Sequence, residues 1–211
     1  MNMRLETEGD YFAVESLTRE AFWNVYKPGC SEHYVLHAFR RDPDFIRELD
    51  FVLEDEVGGS ARIVAHVMFA RARLIRADGA VIPICTFGPI SVDPALQRRG
   101  YGKALLARAL EKAAGLGYGA VCMTGDIGFY GTCGFVVASS RNVRYAEDPE
   151  GEAPYFLLKE LKPDFLKDRL AGMSATFKEP AGYFAKDEDV ERFDAQFPPK
   201  QKLKLPGQLF S

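Results

Sequence analysis

Apolar positions change their period several times along the chain. In "DYFAVESLTREAFW", residues 10 to 23, Val14, Leu17, Ala21 and Phe22 recur at helical spacing behind Asp10, a residue type that can accept orphan backbone N–H groups as an N-cap. A second helix is predicted to open at Ser31 and to close at Arg41-Asp42-Pro43, because the residue before a proline is pushed out of helical geometry. The pattern then turns extended. "LDFVLE" predicts a strand, Gly58-Gly59 a turn, and "ARIVAHVMFARARLI" a long half-buried strand rich in β-branched residues. Asp78-Gly79 predicts a tight hairpin with positive φ at both turn positions, so that "AVIPICTFGPISV" returns antiparallel. Pro83 and Pro89 within that run predict an edge, a bulge or a splay. A helix follows from about Gly100 to Ala114, with Leu105, Leu106, Ala109, Leu110 and Ala113 on one face. "AVCMT" reads as a short buried strand, "IGFYGTCG" as a helical turn or two, and "FVVA" and "YFLLKEL" as further strands. This order of elements predicts a mixed α/β (α+β) fold.

Residues 162 to 211 differ in texture. Pro163, Pro180, Pro198, Pro199 and Pro206 alternate with Phe165, Phe177, Tyr183, Phe184, Phe193, Phe197 and Phe210, too many aromatics for a free tail. The expected organisation is a domain over 1–161 and an extension over 162–211, packed on that domain or on a partner subunit, with a short helix around "PDFLKDRLAG". At 211 residues the chain fits one sizeable domain with such an addition.

Composition narrows the classes. With 47% hydrophobic and 27% charged residues the chain falls among globular proteins. A formal net charge of -3 and a pI near 5.7 lack the basic footprint of a nucleic-acid binder. The first residues carry acids and no apolar run follows, so neither a leader nor a membrane span is expected, and the cytoplasm is the expected location. Cys30, Cys85, Cys122 and Cys133 have no paired spacing and are expected to be reduced.

The candidate chemistry lies in "SVDPALQRRGYGKALLARAL", residues 91 to 110. A strand that feeds through Gln97-Arg98-Arg99-Gly100-Tyr101-Gly102 into a helix makes an anion site. The first helical N–H groups lack internal partners, the dipole favours negative charge, and glycines let a phosphate approach the backbone. Arg98, Arg99 and Lys103 add positive charge. The competing reading is a glycine-bearing turn that binds nothing. A P-loop is excluded, because its first glycine would fall on Gln97 and its Ser/Thr on Ala104. "GLGYGA" at 115–120 ends a helix and opens a strand, the reverse of dinucleotide-binding context, and is expected to be a helix cap. Cys30, His33 and His37 have metal-like spacing but no completing ligand, so no metal is expected there. His66 is expected to be a satisfied sheet residue rather than a group facing a cleft.

Two motifs in order carry a resemblance. "VDPALQRRGYGKAL" is similar to the acetyl-CoA motif Q/R-x-x-G-x-G/A of the GCN5-related N-acetyltransferase (GNAT) superfamily, and "GDIGFYGTCGF", residues 125 to 135, to its Y-x-x-x-G-F motif. The GD-x-x-[FY]-Y form resembles bacterial predicted N-acetyltransferases of undefined substrate. The resemblance implies a twisted, mostly antiparallel sheet flanked by helices, and transfer of an acetyl group from acetyl-CoA to a primary amine in a ternary complex, without a metal. It implies that the turn formed by Gln97, Arg98, Arg99, Gly100, Tyr101, Gly102 and Lys103 holds the pyrophosphate of coenzyme A through the backbone amides from Arg98 to Lys103. It implies that Ile90 and Val92 bind the acetyl carbonyl and pantetheine arm through their backbones, and that Tyr130 protonates the departing thiolate. Where histone-type relatives place a catalytic glutamate this chain has Thr86, so the base is open among Glu20, Glu54, Asp126 or an amine that arrives neutral; Asp126 could equally cap the short helix of Tyr130. The acceptor is a small-molecule, peptide or protein amine, with no nucleic-acid or membrane partner and with a homodimer as one option. A non-catalytic acyl-CoA-binding or regulatory module is the alternative.

Overall fold

The computed structural model describes residues 1–208; Phe210 lies outside the described residues. In chain order the elements are β1 (Asn2–Leu5), α1 (Tyr11–Phe22), α2 (Glu32–Phe39), β2 (Phe51–Val57), β3 (Ser60–Arg76), β4 (Val81–Val92), α3 (Tyr101–Gly115) and β5 (Ala120–Thr124). Then come α4 (Ile127–Tyr130), β6 (Val136–Val137), β7 (Val143–Tyr145), β8 (Phe156–Glu160), α5 (Phe165–Leu170), β9 (Ala175–Phe177) and α6 (Asp187–Asp194). The expected mixed α/β class, with a mostly antiparallel sheet and flanking helices, is what forms.

The described chain divides into two compact units: Met1–Met68, Pro89–Leu106 and the described residues from Ala181 onward make the first, Phe69–Gly88 and Ala107–Pro180 the second. In the first unit β1 pairs antiparallel with β2 (Asn2↔Glu54, Leu5↔Phe51), and β2 with β3 (Phe51↔Val67), with a bulge-like shift of register after Leu53. Helix α1 packs on α2, and α2 on α6. Val14, Leu36, Phe39, Leu49, Val52 and Val64 are fully buried here, the kind of burial that provides the main favourable term in folding.

In the second unit β5 runs parallel to β4 (Cys85↔Val121) and antiparallel to β8 (Val121↔Lys159), and β6 pairs antiparallel with β8 (Val136↔Leu158). Strand β9 pairs with β3 (Leu74↔Phe177), and β7 runs parallel to β9. The core joins Leu74, Ile84, Cys122, Phe156 and Leu158 to Leu166, Leu170 and Phe177, with Phe156 stacked on Phe177 at 5.1 Å between centroids.

Four local readings need correction. The hairpin between β3 and β4 forms, but its loop is Ala77-Asp78-Gly79, closed by Arg76 N to Ala80 O at 2.9 Å, and only Gly79 has positive φ (+88°). The Asp78 carboxylate holds the loop by accepting from Ala80 N and Arg76 Nε. Strand β4 lies between β3 and β5, which excludes the edge among the three options for its prolines, while its pairing with β5 ends at Thr86, short of Pro89. Asp10 precedes α1 without capping it through its side chain; the carboxylate instead accepts from Thr7 N, Thr7 Oγ1 and both terminal nitrogens of Arg4. The Arg4 guanidinium, by those bonds, holds Asp10 well below the usual carboxylate range. Finally, β1, β7 and β9 carry too few periodic positions to be read, and α6, whose Val190 and Phe193 stand at helical spacing, is an element the sequence reading left out.

Candidate functional site

The run after β4 is built by local capping. Asp93 N bonds Val64 O at 2.9 Å, and the Asp93 carboxylate accepts from Ala95 N at 2.8 Å to start a single 3-10 turn over Pro94–Leu96. Leu96 is buried and anchors that turn, and Gln97 Nε2 reaches back to Val92 O at 3.4 Å. Arg98 (φ +61°) and Gly100 (φ +92°) then adopt left-handed backbone, a conformation costly for arginine and natural for glycine. This double reversal aims the chain into α3, whose first turn closes through Ala104 N to Gly100 O at 2.9 Å. The amides of Tyr101, Gly102 and Lys103 precede that bond and have no helical carbonyl to reach.

Around this opening Gln97, Arg98, Arg99, Gly100 and Lys103 are exposed. Ideal Cβ geometry at Gly100 meets no atom within 4 Å, while at Gly102 it would come within 3.2 Å of Val92 Cγ2. The first glycine therefore leaves the backbone open outward, and the second lets α3 lie close to the end of β4. These features suit a pyrophosphate: backbone donors, a positive helix end and nearby cations. Ile90 and Val92 are half-buried on either side of Ser91, whose buried hydroxyl donates to Thr18 Oγ1 at 2.9 Å. Tyr101 donates to Asp55 Oδ2 at 2.6 Å, fixing the first residue of α3 to β2. Sequence reading found neither of these two braces, since each joins residues dozens of positions apart.

Tyr130 belongs to the second unit. Asp126 caps its short helix by accepting from Gly128 N at 3.0 Å, and Gly125 N bonds Tyr155 O at 2.8 Å. The Tyr130 ring lies over Gly125, where a Cβ would sit 2.6 Å from Cε2. Edge contacts to Phe129, Phe135 and Phe87, at 4.9, 5.7 and 5.9 Å between centroids, hold the half-buried ring.

The other sequence candidates have structural partners. Asp126 is the helix cap, Glu54 accepts from Arg4 and Asn2, and Glu20 pairs with Lys200 at 2.8 Å. Thr86 is buried. His66, fully buried, meets Asp50 Oδ1 through Nε2 at 2.7 Å, so it is not a group facing a cleft, but its buried Nδ1 has no hydrogen-bond partner among the described residues and it is only half satisfied. His37 pairs with Glu15 at 2.9 Å, and Arg40 bridges Glu15 and Glu6. Glu6, Asp50 and His66 lie close enough to suggest a metal site, but Arg40 donates to both oxygens of Glu6, which makes the cluster an ion-paired knot. Burial pushes Glu6 up to about 7 and Asp50 up to about 6, and His66 down to about 4.

Cys30 Sγ lies 3.4 Å from His33 Nδ1, and His33 Nε2 lies 3.0 Å from Asp194 Oδ1, an order reminiscent of a nucleophile relay. Burial pushes the thiol far up and the imidazole down to about 4, so the thiol stays protonated and the arrangement is structural. All four cysteines are free thiols.

Residues 49–137 match the family model described as Acetyltransferase (GNAT) domain. Among solved structures the chain is similar to a GNAT family N-acetyltransferase (YhbS) from Escherichia coli in complex with CoA, at TM-score 0.71 and 22% identity over 86% of this chain and 91% of that one. It is also similar to a GNAT family acetyltransferase from Brucella melitensis in complex with acetyl-CoA, at TM-score 0.64 and 23% identity, covering 87% and 97%. Likeness to the ribosomal-protein-S18-alanine N-acetyltransferase of Escherichia coli is weaker, at TM-score 0.51 and 17% identity over 76% and 94%. No curated protein matches the chain.

Proposed function

We propose, from the match of residues 49–137 to the GNAT acetyltransferase domain model, that the protein moves an acetyl group from acetyl-CoA to a primary amine by direct transfer in a ternary complex. The observation that carries the reading is the opening of α3, where left-handed Arg98 and Gly100 present unpaired helical amides beside Arg98, Arg99 and Lys103. In this reading the amides from Arg98 to Lys103 hold the pyrophosphate of acetyl-CoA, which supplies the acyl group. Gln97 closes the turn behind them. The backbones of Ile90 and Val92 hold the acetyl carbonyl and the pantetheine arm, with Ser91 pinned to Thr18 between them.

The neutral amine forms the new C–N bond as the C–S bond breaks. Tyr130 gives its proton to sulfur, a task suited to a phenol that stays protonated near neutral pH. Asp126, Glu54 and Glu20 each serve another partner, so the amine arrives neutral and its surplus proton leaves to solvent. The acceptor is a small-molecule, peptide or protein amine in the cytoplasm. Among the described residues no helix is long and apolar enough to cross a membrane.

Calorimetric titration with acetyl-CoA, against ATP and NAD, tests the first half. Saturable binding of acetyl-CoA alone is expected, and absence of binding refutes the cofactor reading. Tyr130→Phe tests the second: turnover should fall roughly 100-fold or more with acetyl-CoA affinity kept.

A further inference from the structure

We propose that Lys159 is a positioning residue for Tyr130, acting from the strand beneath it; this rests on the reading of Tyr130 as the proton donor. Strands β5 and β6 both pair antiparallel with β8, Val121 opposite Lys159 and Val136 opposite Leu158. They therefore run parallel to each other with β8 between them, and residues 125–135, which carry Tyr130, must cross over β8. Lys159 stands on that crossed strand. Its ammonium donates to Cys133 O at 2.5 Å and lies 6.0 Å from the centre of the Phe135 ring.

Cys133 ends the 3-10 turn that continues α4, before left-handed Gly134 (φ +85°). A carbonyl at the end of such a run has no helical donor and carries partial negative charge. An ammonium ion satisfies both needs. The fit is close, since a Cβ on Gly134 would sit 2.7 Å from Lys159 Nζ. Phe135 transmits the anchor: its ring meets Tyr130 at 5.7 Å, and its N–H bonds Tyr130 O at 3.1 Å. Asp126 fixes the entry to the Tyr130 turn and Lys159 fixes the exit.

A proton donor works only within hydrogen-bond reach of its acceptor, and a displacement of about 1 Å can cost on the order of 100-fold in rate. Without the ammonium the Cys133 carbonyl loses its charged donor and the crossover is free to shift. The loss should fall on the chemical step and spare cofactor binding, because Lys159 is no part of the turn before α3.

The test is a double-mutant cycle on the full chain, reading thiol release from acetyl-CoA with the best amine from a panel. Lys159→Met should lower kcat roughly 10- to 100-fold, leave the KM for acetyl-CoA within about twofold, and have almost no further effect in a Tyr130→Phe background. Lys159→Arg, which keeps a cation, should recover most of the rate, and it keeps the comparison available if the methionine variant folds poorly. Equal losses in both backgrounds, a loss confined to KM, or an arginine variant as slow as the methionine variant with its fold intact would overturn the proposal. Undiminished turnover in Tyr130→Phe alone would remove the donor reading, and this proposal with it, whereas a slow Tyr130→Phe with additive Lys159→Met would overturn only the role of Lys159.

Discussion

Glu6 shows how far a single side chain departs from its solution behaviour. Burial raises its carboxyl from an ordinary value near 4.5 to about 7, with Arg40 pulling the other way. Between those values the folded chain holds a proton that the unfolded chain has released, so the stability that Glu6 contributes is full below pH about 4.5 and is lost as pH rises through about 7. Glu6→Gln removes this titration. The stability of the wild type relative to Glu6→Gln should therefore fall from pH 4.5 to pH 7, as read by denaturant melts on both proteins; a flat difference would show that Arg40 and His66 cancel the effect of burial. At the turn proposed to hold the cofactor, Gly100→Ala places a Cβ on backbone with φ +92°, which should cost roughly 1–2 kcal/mol and weaken acetyl-CoA binding in calorimetry. At this scale much of the candidate site's geometry is legible in the sequence. Glycines and cations before a helix announce an anion site through backbone geometry alone, and Tyr130 stands inside a local motif. The Tyr101 to Asp55 and Ser91 to Thr18 bonds could not be read, because hydroxyl and carboxylate partners leave no periodic trace.

Among the elements, α4 is short enough to depend on its cap. Asp126→Ala should destabilise it by about 1 kcal/mol and speed amide exchange at Phe129 and Tyr130, whose N–H groups bond Asp126 O. Protection unchanged from wild type would mean that ring packing alone holds the turn. The long elements were legible: helices α1, α2 and α3 and strands β2 to β5 carry enough periodic or apolar positions to identify themselves. Strands β7 and β9, of three residues each, have too few. Val, Tyr, Thr and Phe in them suit strands, but three residues show no period, and it is the parallel ladder with Val143 opposite Ala175 that fixes them. The hairpin after Arg76 is legible in the sequence, but its loop length is not, since Asp-Gly serves two-residue loops and three-residue loops with Gly at the left-handed position alike.

For the molecule as a whole, the last fifty residues contribute to both units. Leu166, Leu170 and Phe177 are buried in the second, and Val190, Phe193 and Phe197 are buried in the first. Arg19, 3% exposed at its side chain, depends on Asp194 at 2.6 Å. Asp194→Asn leaves that guanidinium without its counter-charge and should cost about 3 kcal/mol in denaturant unfolding. A chain ending at Leu161 should be insoluble, because removing these apolar groups exposes the apolar core residues they cover; a soluble, cooperative fragment would refute that expectation. Sedimentation of the full chain separates monomer from homodimer. The sequence by itself determined the longer elements and the glycine-bearing candidate anion turn, because each follows from periodicity and backbone geometry within about twenty residues, and it carried Tyr130 inside a motif that resembles a known family. The tertiary structure alone decided which carboxylates are engaged by Arg4, Arg19, Arg40 and Lys200, where Lys159 anchors its crossover, and how β9 and α6 enter the cores. Those contacts join positions far apart in the chain, and only burial and charge in three dimensions select them.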